Sequence, residues 1–173
     1  MKVFNFVRLS LLFILFCLSA YYFYPEDVLP KGTKIDKLVV FKSKRRLWAY
    51  SNQRLVKTYK IALGRQPLGA KQFEGDRKTP EGKYYINGKN PYSGYHKNLG
   101  ISYPNKNDIL YASRQGKSSG GDVKIHGLKN GMGFVGKFHR WFDWTLGCIA
   151  VTDEEMDELY FAVNPGTVIE IYP

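Results

Sequence analysis

The first 24 residues restrict what this chain can fold into more than any other segment. Met1-Lys2-Val3-Phe4-Asn5-Phe6-Val7-Arg8 carries two positive charges, and the 16 residues from Leu9 to Tyr24 carry none. Pro25-Glu26-Asp27 closes the run. Positive residues ahead of an apolar stretch are the layout of an export signal. Counted back to Val3 past a snorkelling Arg8, the stretch reaches about 20 residues, the length a spanning helix needs. Leu18-Ser19-Ala20 puts Leu where a cleavage site prefers a small residue, and Cys17 follows the bulky Phe16. Residues 1–24 are therefore expected to be a signal peptide or a membrane anchor, with a buried N-terminal core helix as the alternative. Lys2 and Arg8 stay in the cytoplasm by the positive-inside rule. Residues from Pro25 onward are then outside it, in the periplasm or cell envelope.

The remainder is one domain of ordinary size, with residues 25–35 as a polar linker and 36–173 as the folded unit. The whole chain has 26 Lys and Arg against 15 Asp and Glu. Residues 25–173 keep 24 of the 26 and all 15 acids, a formal charge of +9. A basic exported domain meets wall polymer or anionic lipid rather than nucleic acid. With 44% hydrophobic residues the chain is not disordered, and two Cys exclude a disulfide-stapled mini-protein.

The local patterns are those of a mainly β domain. Lys37–Lys42, Leu47–Tyr50 and Leu55–Leu63 alternate or concentrate apolar residues and are separated by polar turns, which predicts an antiparallel meander. The basic run Lys42-Ser43-Lys44-Arg45-Arg46 reads as a solvated turn. Gly64 to Gly82 is a loop. Further strands are expected at Lys83–Asn87, Asp122–His126, Cys148–Val151 and Thr167–Tyr172. Asn107-Asp108 predicts a helix cap for a segment ending before Gly116, and Thr152 with Glu155 predicts a capping box for a helix through Ala162. Asn164-Pro165-Gly166 reads as a turn. The expected fold is a β-sandwich or barrel-like sheet with one or two short helices, covered by the C-terminal helix.

Beyond residue 24 a single thiol remains, Cys148, which cannot form an intramolecular disulfide. A free Cys is commonly a small buried hydrophobe. Here Gly147 precedes it, so the backbone can turn tightly, and Thr145, Gly147 and Cys148 sit at the mouth of a strand where loop amides can stabilise an oxyanion. A thiol needs a base to ionise near neutral pH. His126 and His139 lie within 22 residues of it in sequence. His126 ends a strand ahead of Gly127 in a glycine-rich stretch that can wrap a base around a nucleophile. A zinc site from His126, His139, Cys148 and Asp143 has acceptable ligand types, but its spacing matches no compact metal motif. There is no phosphate-cradling glycine loop and no Gly-x-Ser-x-Gly elbow.

Asp143-Trp144-Thr145-Leu146-Gly147-Cys148-Ile149-Ala150-Val151-Thr152 resembles the nucleophile segment of the L,D-transpeptidase family. Gly120-Gly121-Asp122-Val123-Lys124-Ile125-His126-Gly127 is similar to the family's His-Gly segment. Gly64-Arg65 through Gly75-Asp76-Arg77-Lys78-Thr79-Pro80-Glu81-Gly82 is similar to its upstream loop. The resemblance implies a β-rich catalytic domain with Cys148 as nucleophile, His126 as general base and the Gly127 carbonyl orienting the imidazole. It further implies an exported cysteine acyltransferase that remodels or cross-links peptidoglycan stem peptides through a thioacyl-enzyme, without cofactor or metal, as a monomer. Two positions depart from the pattern: Leu146 stands where the family often has His, and Ala150 where it often has Arg. The second departure makes Arg140 a candidate contact for a substrate carboxylate, with His139, Asp143 and Trp144 as further substrate-binding candidates. Phe138, Trp141, Phe142 and Trp144 are candidate walls of a water-excluding site, or ordinary core. A peptide hydrolase or carboxypeptidase on the same scaffold, and a non-catalytic wall-binding domain, remain the alternatives.

Overall fold

The computed structural model describes residues 2–173; Met1 and the side chains of Lys2, Val3 and Phe4, all part of the expected export segment, lie outside the described residues. Helix α1 (Lys2–Phe23) is long and apolar enough over Asn5–Phe23 to cross a membrane, and none of that window is buried. A core helix would be covered by the domain, and this one is not. Its last turn meets the folded unit. There Tyr21 and Tyr22 pack against Phe138 at 5.7 and 5.4 Å between ring centroids, and Tyr21 against Trp141 at 5.9 Å.

Eight strands form one sheet, in the order β3-β2-β1-β8-β4-β5-β6-β7. Strands β1 (Ile35–Phe41), β2 (Arg46–Ser51) and β3 (Arg54–Lys60) make the expected antiparallel meander. The C-terminal strand β8 (Val163–Tyr172) returns beside β1 in parallel register, Leu38 opposite Ile169 and Val40 opposite Ile171. Strand β4 (Gly82–Ser93) joins the two halves: its first residues pair with β8 and the rest with β5 (His96–Ile101). Short strands β6 (Lys124–His126) and β7 (Ile149–Ala150) complete the sheet, β7 running parallel to β6. The two edges then meet. Ala62, just beyond β3, and Ala150 in β7 exchange backbone hydrogen bonds at 3.0 and 2.8 Å, which curls the sheet towards a barrel.

Side chains alternate as a half-buried sheet requires, so Leu38, Val40, Leu47, Ala49, Tyr59, Ile125, Ile149, Ile169 and Ile171 share one core. Met156, Leu159 and Ala162 of helix α3 (Asp153–Ala162) cover it. The α3 capping box is present: Thr152 accepts from the Glu155 amide and Glu155 returns to the Thr152 amide.

Several local expectations need correction. Helix α2 (Lys106–Arg114) is capped by Asn105 with Asp108, two residues ahead of the predicted cap. Strand β5 falls where no strand is expected, and β4 runs on past the predicted end at Asn87 to Ser93, through Gly88, Asn90 and Pro91, which carry no apolar alternation. The residues of the Asn164-Pro165-Gly166 turn bulge out of β8, where the register against β1 jumps from Val163 to Val168. Cys148 stands just ahead of its strand and not in it. The basic run is not a fully solvated turn. Lys42 is buried and donates to the Gly69 and Thr79 carbonyls and to Glu81 at 2.6, 3.0 and 2.7 Å, while Arg45 pairs with Asp143 at 2.7 Å.

Candidate active site

The curling of the sheet brings three segments to one seam. The loop after β3 runs alongside residues 143–148. Leu63 O accepts from Thr145 N–H at 3.1 Å, Thr145 O accepts from Arg65 N–H at 3.0 Å, and Gly64 N–H donates to the Thr79 hydroxyl at 3.1 Å. The loops touch so closely that Gly147, at φ +133°, has no room for a side chain: a Cβ there would lie 2.7 Å from the Lys78 carbonyl oxygen. The third segment is β6, whose parallel pairing with β7 sets His126 beside the strand that follows Cys148.

Cys148 and His126 line the same cleft, about 650 Å³ in volume. The Thr145 hydroxyl donates to the Cys148 carbonyl at 2.7 Å and accepts from the Gly147 N–H at 3.1 Å, closing a tight turn that presents the thiol. The Gly147 amide, expected to face a developing oxyanion, is thus engaged inside the loop. The thiol donates to the Asp122 carbonyl, 3.7 Å away. Burial pushes its pKa up; Asp122 adds to the rise, and Lys124 and Lys71 oppose it.

His126 is held on three sides. Its Nδ1 lies 2.7 Å from the Gly127 carbonyl, so that nitrogen carries the proton and donates it, leaving Nε2 as the basic nitrogen. Tyr95 and Trp144 flank the ring, at 4.9 and 5.6 Å between centroids. Burial pulls the imidazole pKa down; the Gly127 hydrogen bond opposes that, and Lys124 adds to it. Gly127 must be glycine here, because a Cβ would meet Asp153 Oδ1 at 2.6 Å and His96 Cβ at 2.9 Å. Asp153 Oδ1 in turn accepts from Leu128 N–H at 2.7 Å, fixing the backbone just after the carbonyl that orients the ring.

The other candidates separate. Trp144, Thr145, Leu146 and Gly147 line the cleft. Arg140 does not: it lies over a second pocket and is paired with Glu26 at 2.8 Å and Glu155 at 2.7 Å. Asp143 is engaged by Arg45 and by the Leu63 amide. His139 is buried behind Trp144, accepts from its indole N–H at 3.4 Å, and is held neutral by burial, with a pKa lowered to about 3. Phe138 and Trp141 pack on α1, and Phe142 is exposed. The aromatic wall of the cleft is Tyr92, Tyr95 and Trp144. Arg65, Lys71 and Asp122 line it too; all three fall within segments that resemble the family, whereas Tyr95 lies outside any such segment, and none of the four is among the site candidates read from the sequence.

A family profile described as YkuD, the L,D-transpeptidase catalytic domain, matches residues 36–171. The chain belongs to this family. A curated relative from Escherichia coli K12, named "Putative L,D-transpeptidase YafK", is 31% identical over 147 residues, covering 78% of this chain and 52% of the relative. The chain therefore spans about half the length of the curated relatives it matches. The helical cell shape determining protein Pgp2 from Campylobacter jejuni superposes with a TM-score of 0.59 at 26% identity, over 81% of this chain and 48% of that one. An L,D-transpeptidase from Mycobacterium smegmatis has the same fold, with a TM-score of 0.54 at 13% identity over 82% of this chain and 60% of its own. Within this YkuD domain the two departures from the family pattern are not equivalent. Leu146 is 70% exposed on the rim of the cleft, whereas Ala150 is fully buried in the bridge to Ala62 and offers no surface to a ligand.

Proposed function

We propose that the domain is a cysteine acyltransferase acting on peptidoglycan stem peptides, with Cys148 as nucleophile and His126 as general base. The observation that carries this reading is the orientation of His126: the Gly127 carbonyl at 2.7 Å fixes one tautomer in the cleft that also contains the thiol. The imidazole is kept neutral by burial and the thiol is kept protonated by burial, so the resting pair is uncharged. As the donor carbonyl approaches, His126 Nε2 takes the proton from Sγ and sulfur attacks. The bond to the terminal D-Ala breaks, its nitrogen receiving the proton from His126, and a thioester remains on Cys148. An amine of a neighbouring stem then attacks the thioester, with His126 repeating the proton transfer.

In this proposal residues 1–24 are a signal peptide or anchor, residues 25–35 a linker and residues 36–173 the catalytic domain, working as a monomer in the cell envelope. A reporter fused after Pro173 that is active only in the cytoplasm would contradict that topology. Product analysis tests the chemistry. Wild-type protein with tetrapeptide muropeptides and an acceptor stem is expected to yield cross-linked dimers, lost in Cys148→Ala. Tripeptide alone at saturating acceptor would make the domain a hydrolase, and no turnover with an unlabelled, buried thiol would make it a binding domain.

A further inference from the structure

The cleft beside Cys148 has an unbalanced charge. Its lining carries three cations, Arg65, Lys71 and Lys124, against one carboxylate, Asp122. Both lysines are already neutralised. Lys71 Nζ lies 2.9 Å from Asp76, both side chains being buried, and Lys124 Nζ lies 2.6 Å from Asp122. Among the described residues no carboxylate pairs with Arg65, whereas Arg45 and Arg140 nearby are both paired.

Arg65 is also held in place. Its backbone amide is bonded to Thr145 O, and its Nε donates to the Trp144 carbonyl at 3.1 Å. Those two contacts strap the residue to the loop that presents the thiol. One of the five guanidinium donors is engaged by Trp144, and the terminal Nη donors have no protein acceptor among the described residues. The Arg65 side chain is exposed and tethered by its Nε alone, and its free fork matches a carboxylate in bidentate geometry.

We propose that Arg65 is the carboxylate-binding residue of this cleft, its guanidinium fork taking a carboxylate of the acyl donor. The proposal deepens the acyl-transfer reading above and rests on it for the identity of the donor. The role expected for Arg140 passes to Arg65, because Glu26 and Glu155 neutralise Arg140 in another pocket.

Binding to the Cys148→Ala protein, which traps donor without turnover, tests it. Titration with a tetrapeptide muropeptide, and with the same peptide amidated at its free carboxylates, is expected to favour the carboxylate form by about tenfold or more, the size of one charge-assisted contact. Adding Arg65→Gln should remove that preference while leaving affinity for the amidated peptide within about twofold, and Arg65→Lys should restore part of it. An unchanged preference in Arg65→Gln overturns the proposal. If neither peptide binds, the stem-peptide reading fails, and a second measurement decides the Arg65 claim alone. In that measurement Cys148 is alkylated with iodoacetate and with neutral iodoacetamide, the site being confirmed by peptide mass because Cys17 is also free. Arg65→Gln should lower the iodoacetate-to-iodoacetamide rate ratio several-fold; an unaltered ratio overturns the claim.

Discussion

Ala62 and Ala150 hydrogen-bond to each other through both backbone groups, at 3.0 and 2.8 Å, across the two edges of the sheet. This bridge lies two residues from Cys148 and three from Arg65. It makes the candidate site a product of sheet curling: the loop carrying Arg65 and Thr79 and the loop carrying Thr145 and Cys148 come together only when the edges meet.

The contact between those loops is tight enough to be broken by one methyl group. Gly147→Ala places a Cβ 2.7 Å from the Lys78 carbonyl at a φ of +133°, which a side chain rarely adopts. The expected loss of stability is about 2 kcal/mol, from strain at a positive φ and displacement of the neighbouring loop. Chemical denaturation of the two proteins measures it; equal midpoints would show that the loops give way without cost.

The thiol should behave as a buried one. Burial raises the Cys148 pKa and lowers that of His126, so both are neutral at pH 7. Only the thiolate is alkylated. The rate of Cys148 modification by iodoacetamide should therefore climb through the neutral range and level off only above the ordinary thiol pKa of about 8.5. A plateau already reached below pH 6.5 would reveal a resting thiolate–imidazolium pair instead.

The two histidines should separate by role. His126→Ala is expected to lower the rate of acylation by roughly 10²–10⁴, the usual contribution of a positioned base, without loss of the folded circular dichroism spectrum. His139 meets Trp144 and does not line the cleft, so His139→Ala should cost much less and should change indole fluorescence. Abolition of acylation by His139→Ala, with His126→Ala near wild type, would reverse the assignment.

Much of this arrangement was legible in the residues. The meander β1–β3, the capping box of α3 and the proximity of Cys148 to His126 follow from alternation, capping chemistry and two matched segments. What escaped was set by long-range contacts. Beyond Asn87 the β4–β5 hairpin is rich in Asn and Gly, so this part carries no apolar alternation to read, and pairing alone creates it. Arg140 looked available because its partners, Glu26 and Glu155, are 114 and 15 residues distant in sequence. Phe138 and Trp141 pack on Tyr21 and Tyr22 of α1, while Tyr95 reaches the cleft from the turn between β4 and β5. Arg65 is set apart by the ion pairs of its neighbours Lys71 and Lys124, which only the fold supplies.

The most direct test is the mass of Cys148 after incubation with a tetrapeptide muropeptide. Acyl transfer predicts an increase equal to the donor less its terminal D-Ala, mapped to Cys148, reversed by hydroxylamine and absent from Cys148→Ala. A folded wild-type protein whose Cys148 is alkylated by iodoacetamide, yet never acquires that mass at any donor concentration or pH, would contradict it.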